Sequence, residues 1–113
     1  MNRKLATVFV LSLSLLAILG CPQRKSIAEV QRDPAHYMNN DVTIAGTVTR
    51  SFGALGTGVY EIDDGTGKIW VFAESTGVPS KGARVASTGR ITPTISFAGQ
   101  SYATVLRERV RHH

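Results

Sequence analysis

From position 41 onward the chain alternates apolar and polar residues. In Asp41 to Arg50, DVTIAGTVTR, Val42, Ile44 and Val48 stand against Thr43, Thr47 and Thr49, the period of two that predicts a strand with one buried face. Gly46 falls within the apolar set, as a glycine does where a strand bends sharply. Val59 to Asp63 and Lys68 to Ala73 predict a second and a third strand, joined by a tight hairpin at Asp64-Gly65-Thr66-Gly67. Ala83 to Thr92 and Ser101 to Val110 predict a fourth and a fifth, around a loop containing Pro93 and Gly99. Ser51 to Gly58, SFGALGTG, reads as a glycine-rich loop, and the segment from Glu74 to Gly82 as a polar loop too broken for a helix. The last strand has two readings, because Tyr102, Thr104 and Leu106 oppose Ala103 and Val105 and either set suits the inside.

Ahead of the strands, Ser26-Ile-Ala-Glu29 has the spacing of a capping box. It predicts a helix of two turns or fewer from Ile27, ended at Asp33-Pro34, with Ile27 and Val30 on one face that suits plugging the end of a larger body. The expected class is therefore all-β. Five short strands curled at a glycine point to a small closed or nearly closed barrel over 41–111, because closure removes the exposed edges of so small a sheet. A short helix and connector over 26–40 precede it.

GVYEIDDGTGKIWV, residues 58 to 71, with VTIAGTVT before it and GARVASTGRI after it, resembles an OB-fold. The likeness covers about residues 41 to 110 and is nearest to small periplasmic bacterial OB-fold proteins and to the anticodon-binding type of OB domain. It implies a binding surface on strands 2 and 3 and on the loops after strands 1 and 4. The helix usual between strands 3 and 4 is replaced here by the 74–82 loop, and the helix at Ile27 is expected to take over its role.

The first twenty residues follow a different pattern. Arg3 and Lys4 precede Leu5 to Gly20, an apolar run of sixteen residues interrupted by Thr7, Ser12 and Ser14. A spanning helix wants roughly 20, so the run suits an export signal over 1–20. Ile18-Leu19-Gly20-Cys21 resembles the bacterial lipoprotein box. The resemblance implies cleavage before Cys21, a diacylglyceryl thioether on its sulfur, an acylated amino terminus, and a short lipidated tether over 21–25. The domain is then expected on the extracytoplasmic side of the cell membrane or the outer membrane, with the membrane as a partner through Cys21. Cys21 is the single cysteine, so no intrachain disulfide forms. The chain carries 13 Lys and Arg against 8 Asp and Glu. Loss of Arg3 and Lys4 leaves 11 against 8, a net +3, which permits a polyanionic partner without requiring one.

Catalytic signals are sparse. His36, His112 and His113 share no local constellation with a serine or an acid, and no enzyme, cofactor, metal or small-molecule substrate is expected. Asp63 and Asp64 sit where a hairpin wants Asp and Gly, so they read as turn residues rather than metal ligands. GALGTG, residues 53 to 58, precedes a strand, so no helix N-terminus receives a phosphate there. A membrane-anchored OB barrel with a histidine just past its last strand also resembles the periplasmic haem chaperone of cytochrome maturation, but the tyrosine-containing tail of that family does not follow His113.

The stronger candidate is a binding face. In strand 3, burying Ile69 and Val71 turns Lys68, Trp70 and Phe72 to the other side. Phe52 and Phe97 fall in the two loops of the expected surface, and Arg84 and Arg90 lie opposite Val85 and Ile91 on strand 4. These seven residues form the candidate site for single-stranded nucleic acid, a glycan or an envelope protein. The competing reading places Trp70 and Phe72 under the helix or under the 74–82 loop, as core.

Overall fold

The structure, a computed structural model, describes residues 23–113. The export signal and the lipid attachment expected at Cys21 lie outside the described residues. Among the described residues no helix is long and apolar enough to cross a membrane.

The elements run β1 (Gln23–Arg24), α1 (Ile27–Arg32), a 3-10 turn (Pro34–Tyr37), β2 (Val42–Ala54), β3 (Thr57–Asp63), β4 (Lys68–Ala73), β5 (Arg84–Phe97) and β6 (Gln100–His112). β2 to β6 close a five-stranded, OB-fold-like barrel in the order β2-β3-β4-β6-β5, with β5 returning to β2. β4 and β6 pair in parallel through Val71 and Leu106; the other barrel ladders are antiparallel. Gln23 and Arg24, expected in a tether, instead lie parallel to the start of β2, and the Lys25 N–H continues the ladder to the Thr43 carbonyl at 3.0 Å.

β2 explains why one strand serves both halves of the barrel. Its first part pairs with β5 and its second with β3, and Thr47 faces both Arg84 and Asp63. The strand coils at Gly46, where a Cβ would stand 2.5 Å from the Asp63 carbonyl oxygen, so the crossing of the three chains requires a residue without a side chain.

The core follows the predicted alternation. Val42, Ile44 and Val48 of β2, Tyr60 and Ile62 of β3, Ile69 and Val71 of β4 and Leu106 of β6 are almost fully buried. Such side chains contribute about 1.5–3 kcal/mol each by leaving water. Ile27 and Val30 of α1 join this core, so the helix plugs the barrel end near the β3–β4 turn. Its first three N–H groups are all capped: Ile27 donates to Asp64 Oδ2 at 2.9 Å, Ala28 to Thr66 Oγ1 at 3.1 Å and Glu29 to Ser26 Oγ at 3.2 Å. The 74–82 loop closes the opposite end, with Val78 packed on the core.

Two expectations need correction, and one open reading is resolved. Ser51–Gly58 is not a loop: the β2–β3 ladder continues to Ala54 and Thr57, leaving only Leu55 and Gly56 as the turn. The fourth and fifth strands run well past Thr92 and begin before Ser101, so Pro93 lies within β5 and the connection shrinks to Ala98 and Gly99. Both two-residue turns have positive φ throughout, 56° and 82° at Leu55 and Gly56, 53° and 81° at Ala98 and Gly99, which suits the right-handed twist of the flanking strands. Phe52 and Phe97 are consequently strand residues, three and one positions before their turns. Thirdly, β6 buries both of its candidate sets at one point, since adjacent Val105 and Leu106 are each 0% exposed. Leu106 faces the core. Val105, paired with Thr92, is buried without belonging to that core cluster.

Candidate functional site

The face forms because β4 alternates cleanly. Ile69, Val71 and Ala73 are buried inside, and Lys68, Trp70 and Phe72 point outward. Two hairpins flank this outer surface: the β2–β3 hairpin brings Phe52, and the β5–β6 arm brings Tyr102 and Phe97. The Phe52 ring stacks on Trp70 with centroids 6.2 Å apart and planes 28° apart, and Tyr102 leans on Trp70 at 4.9 Å and 60°. Phe52 stays 51% exposed. Phe52, Phe97, Ala98, Gln100 and Tyr102 line a cleft of about 190 Å³ between the hairpin ends.

Trp70 is thus half-buried among rings and a cation, while its two alternative covers pack at the ends of the barrel, the helix through Ile27 and Val30 and the 74–82 loop through Val78. Phe72 is half-buried on the same face, with the Arg107 guanidinium 5.7 Å from its ring. Lys68 is exposed at the start of β4. Phe52, Trp70 and Phe97 are therefore brought together, with Lys68 and Phe72 at the margins. Arg84 and Arg90 are not. Arg84 stands opposite Thr47 at the start of β5, and Arg90 is ion-paired with Asp41 at 3.0 Å on another part of the sheet.

Sequence reasoning missed Arg50, Glu61 and Tyr102. The Arg50 guanidinium lies 4.8 Å from the centre of the Trp70 ring, a cation–π contact. It reaches that position through a bulge: Val48 faces Ile62 but Arg50 faces Glu61, so Thr49 is an extra residue and both Thr49 and Arg50 turn outward. Uniform alternation puts Arg50 on the face of Val42, Ile44 and Val48. A charge on that apolar face was the signal for a bulge.

Glu61, 5% exposed, accepts from Thr49 Oγ1 at 2.7 Å and from Arg50 Nε and Nη2 at 3.2 and 3.0 Å. The Arg50 hydrogen bond acts most strongly on this carboxyl. With the Thr49 hydroxyl and the charges of Arg50 and Lys68 it holds Glu61 below the ordinary carboxylate range, against the opposing effect of burial. The same pair raises the Arg50 pKa, so the cation over Trp70 is permanent.

Among the described residues no three His, Cys, Asp or Glu side chains gather as metal ligands. Asp63 accepts the Gly65 N–H at 2.8 Å, and Asp64 the Thr66 and Gly67 N–H groups at 2.8 and 3.2 Å, so both carboxylates serve the turn. His36 sits edge-on to Tyr37 at 4.9 Å. His112, expected at a frayed end, pairs with Ala86 in β6 and is exposed, as is His113. The chemistry this face offers is stacking of planar groups beside a fixed cation. No family model and no curated protein sequence matches the chain.

Proposed function

We propose that this chain is a non-enzymatic binding module that captures an extended ligand on the face between its two hairpins. Lipid on Cys21 holds it to a membrane on the extracytoplasmic side. The observation that carries the reading is the Phe52–Trp70–Tyr102 stack, which ends on a half-exposed ring at the mouth of a cleft. The resemblance of the chain to OB-fold proteins supports the same face. Single-stranded nucleic acid fits it best, since every base presents a flat π surface and base–aromatic stacking contributes roughly 1–3 kcal/mol per base.

The test is fluorescence anisotropy of a labelled thymidine oligomer with the full-length protein in detergent micelles, at low and moderate salt. The expected result is saturable binding that weakens with salt and falls about tenfold in Phe52→Ala, the equivalent of ~1.4 kcal/mol. Absence of binding at low salt removes the nucleic-acid version. Mass spectrometry of the natural product tests the anchor: an intact signal or an unmodified Cys21 thiol rejects it.

A second reading, an adaptor for an envelope protein, is favoured by one observation. Leu55, at the tip of the β2–β3 hairpin, is fully exposed beside Phe52. An apolar protein contact keeps its affinity as salt rises, whereas a phosphate-dominated one does not.

A further inference from the structure

Beyond the ring cleft, the strand parity of β5 and β6 gathers a second group of side chains. Arg90 on β5 stands directly opposite Arg107 on β6, and both point outward. One step on, the ladder slips: Thr88 faces Val110 and Gly89 faces Glu108, so Arg109 is an extra residue in β6. A Cβ on Gly89 would lie 2.0 Å from the Arg107 carbonyl oxygen, so this bulge depends on glycine. The result is three exposed guanidiniums, those of Arg90, Arg107 and Arg109, along a groove of about 460 Å³.

Like charges placed directly opposite across a ladder repel, and here two carboxylates answer three cations. Asp41 accepts from Arg90 Nε through one oxygen and from Arg109 through the other, each at 3.0 Å, and Glu74 accepts from Arg107 Nε at 2.8 Å. Burial pushes the Asp41 carboxyl up, but the hydrogen bonds and charges of Arg109 and Arg90 together outweigh it and leave it below its ordinary range, so it is ionised. Glu108 also borders the groove, yet its carboxylate turns inward to Ser87 and Arg111. The local balance is one net positive charge. Each fork uses its Nε side on a carboxylate, and the Nη1 of each has no hydrogen-bond partner among the described residues.

We propose that this groove is a binding site for the phosphoryl group of a small, multiply charged anion. Guanidinium forks match phosphate oxygens geometrically, and three forks converging on one opening let a single anion take donors from more than one of them. The volume lies within the range of small-ligand sites. Asp41 and Glu74 preorganise the arginines and at the same time weaken the site by competing for them. The site shares no lining residue with the ring cleft and does not depend on the reading of that cleft.

The probe is pyrophosphate, titrated calorimetrically into the full-length protein in a zwitterionic detergent, with inorganic phosphate as the smaller anion. Saturable binding is expected, tighter for pyrophosphate. Arg109→Gln and Arg90→Gln should each weaken it about fivefold or more, whereas Arg84→Gln, which removes an equal charge outside the groove, should leave it unchanged. Asp41→Asn removes the competing charge, keeps an acceptor for only one of the two arginines and releases the other, so it should tighten binding about fivefold. A purely structural role for these ion pairs predicts weakening instead. No saturable binding, equal losses in Arg84→Gln and Arg109→Gln, or weaker binding in a folded Asp41→Asn protein overturns the proposal. If Asp41→Asn fails to fold, as circular dichroism would show, the contrast between Arg109→Gln and Arg84→Gln decides alone.

Discussion

Glu108 and Arg111 stand three positions apart on one strand yet point into the same end of the barrel, with Oε1 and Nη1 3.2 Å apart and side chains 1% and 9% exposed. The Arg109 bulge shifts the parity of β6 between them, so the slip that turns Arg109 out also turns Arg111 in. Glu108 accepts from Ser87 Oγ at 2.7 Å, Thr76 Oγ1 at 3.1 Å and the Tyr60 hydroxyl. Arg111 donates to the carbonyls of Gly77 and Thr76 at 3.1 and 3.2 Å. Burial, with the Glu108 carboxylate, pushes the Tyr60 hydroxyl pKa up, so it remains a neutral donor. This network ties the 74–82 loop to its end of the barrel.

Breaking such a pair leaves an uncompensated charge inside. Arg111→Met should cost about 3–5 kcal/mol in guanidinium denaturation. Adding Glu108→Gln to Arg111→Met should cost clearly less than the two single changes summed, because the stranded charge is gone. Additive losses would show that the two side chains act independently.

Asp64 clamps the helix to the barrel from across the β3–β4 turn. Its Oδ2 takes the Ile27 N–H at 2.9 Å, and Asp64→Ala should cost roughly 1–2 kcal/mol, the usual loss for a capping group. Burial pushes this carboxyl up, but the Thr66 hydroxyl and the N–H groups of Ile27, Thr66 and Gly67 bring it below its ordinary value of 3.8. A group whose folded pKa is lowered contributes fully above the unfolded value and is lost as pH falls through the folded one. The melting temperature, followed by circular dichroism, should therefore hold steady above about pH 5 and fall below 3.8, less steeply in Asp64→Asn. An unchanged acid slope in that variant would remove Asp64 from the explanation.

The legible parts of the fold are those where one local rule acts alone. The alternation of β4 assigned its two faces correctly, and the Ser26 cap located the start of α1. What stayed hidden lies where two rules compete. Gly53, Gly56 and Gly58 carry the composition of a loop, yet Gly53 and Gly58 are ladder partners and only Gly56 turns the chain. Pro93 is a breaker by composition but lies inside β5, where the long hairpin leaves the barrel. Thr104, in β6 between the ladder partners of Thr92 and Thr94, has φ 52°, a departure for a β-branched residue that no propensity signals. The two bulges move Arg50 and Arg111 to faces that a strict period of two denies them. For the candidate face, Trp70 was legible from its own strand. Tyr102 was not, because its approach depends on the course of a separate hairpin.

Leu55 occupies the first position of its turn at φ 56°, where Asn or Asp fits and a leucine is strained. Leu55→Asn should raise stability by about 1 kcal/mol, read from the denaturation midpoint. If the exposed leucine serves a partner, the same change lowers capture while the protein grows more stable. A destabilised Leu55→Asn protein would mean that Leu55 makes a contact that its full exposure denies.

Arg50 has two duties that separate variants can divide: it answers the buried Glu61 carboxylate and it covers the Trp70 ring. Arg50→Ala leaves Glu61 with the Thr49 hydroxyl alone and should lower the denaturation midpoint, because a largely buried acceptor is then under-satisfied. Glu61→Gln in that background should recover part of the loss. Phe52→Ala leaves the Glu61 contacts intact and removes a half-exposed ring, so its stability cost should be smaller. Both Arg50→Ala and Phe52→Ala open the Trp70 ring to water, and the chain holds one tryptophan, so a red-shifted emission in each variant reports that ring alone. Unchanged emission in both would mean that neither neighbour shields Trp70, and the stack would lose its claim to be a preorganised surface.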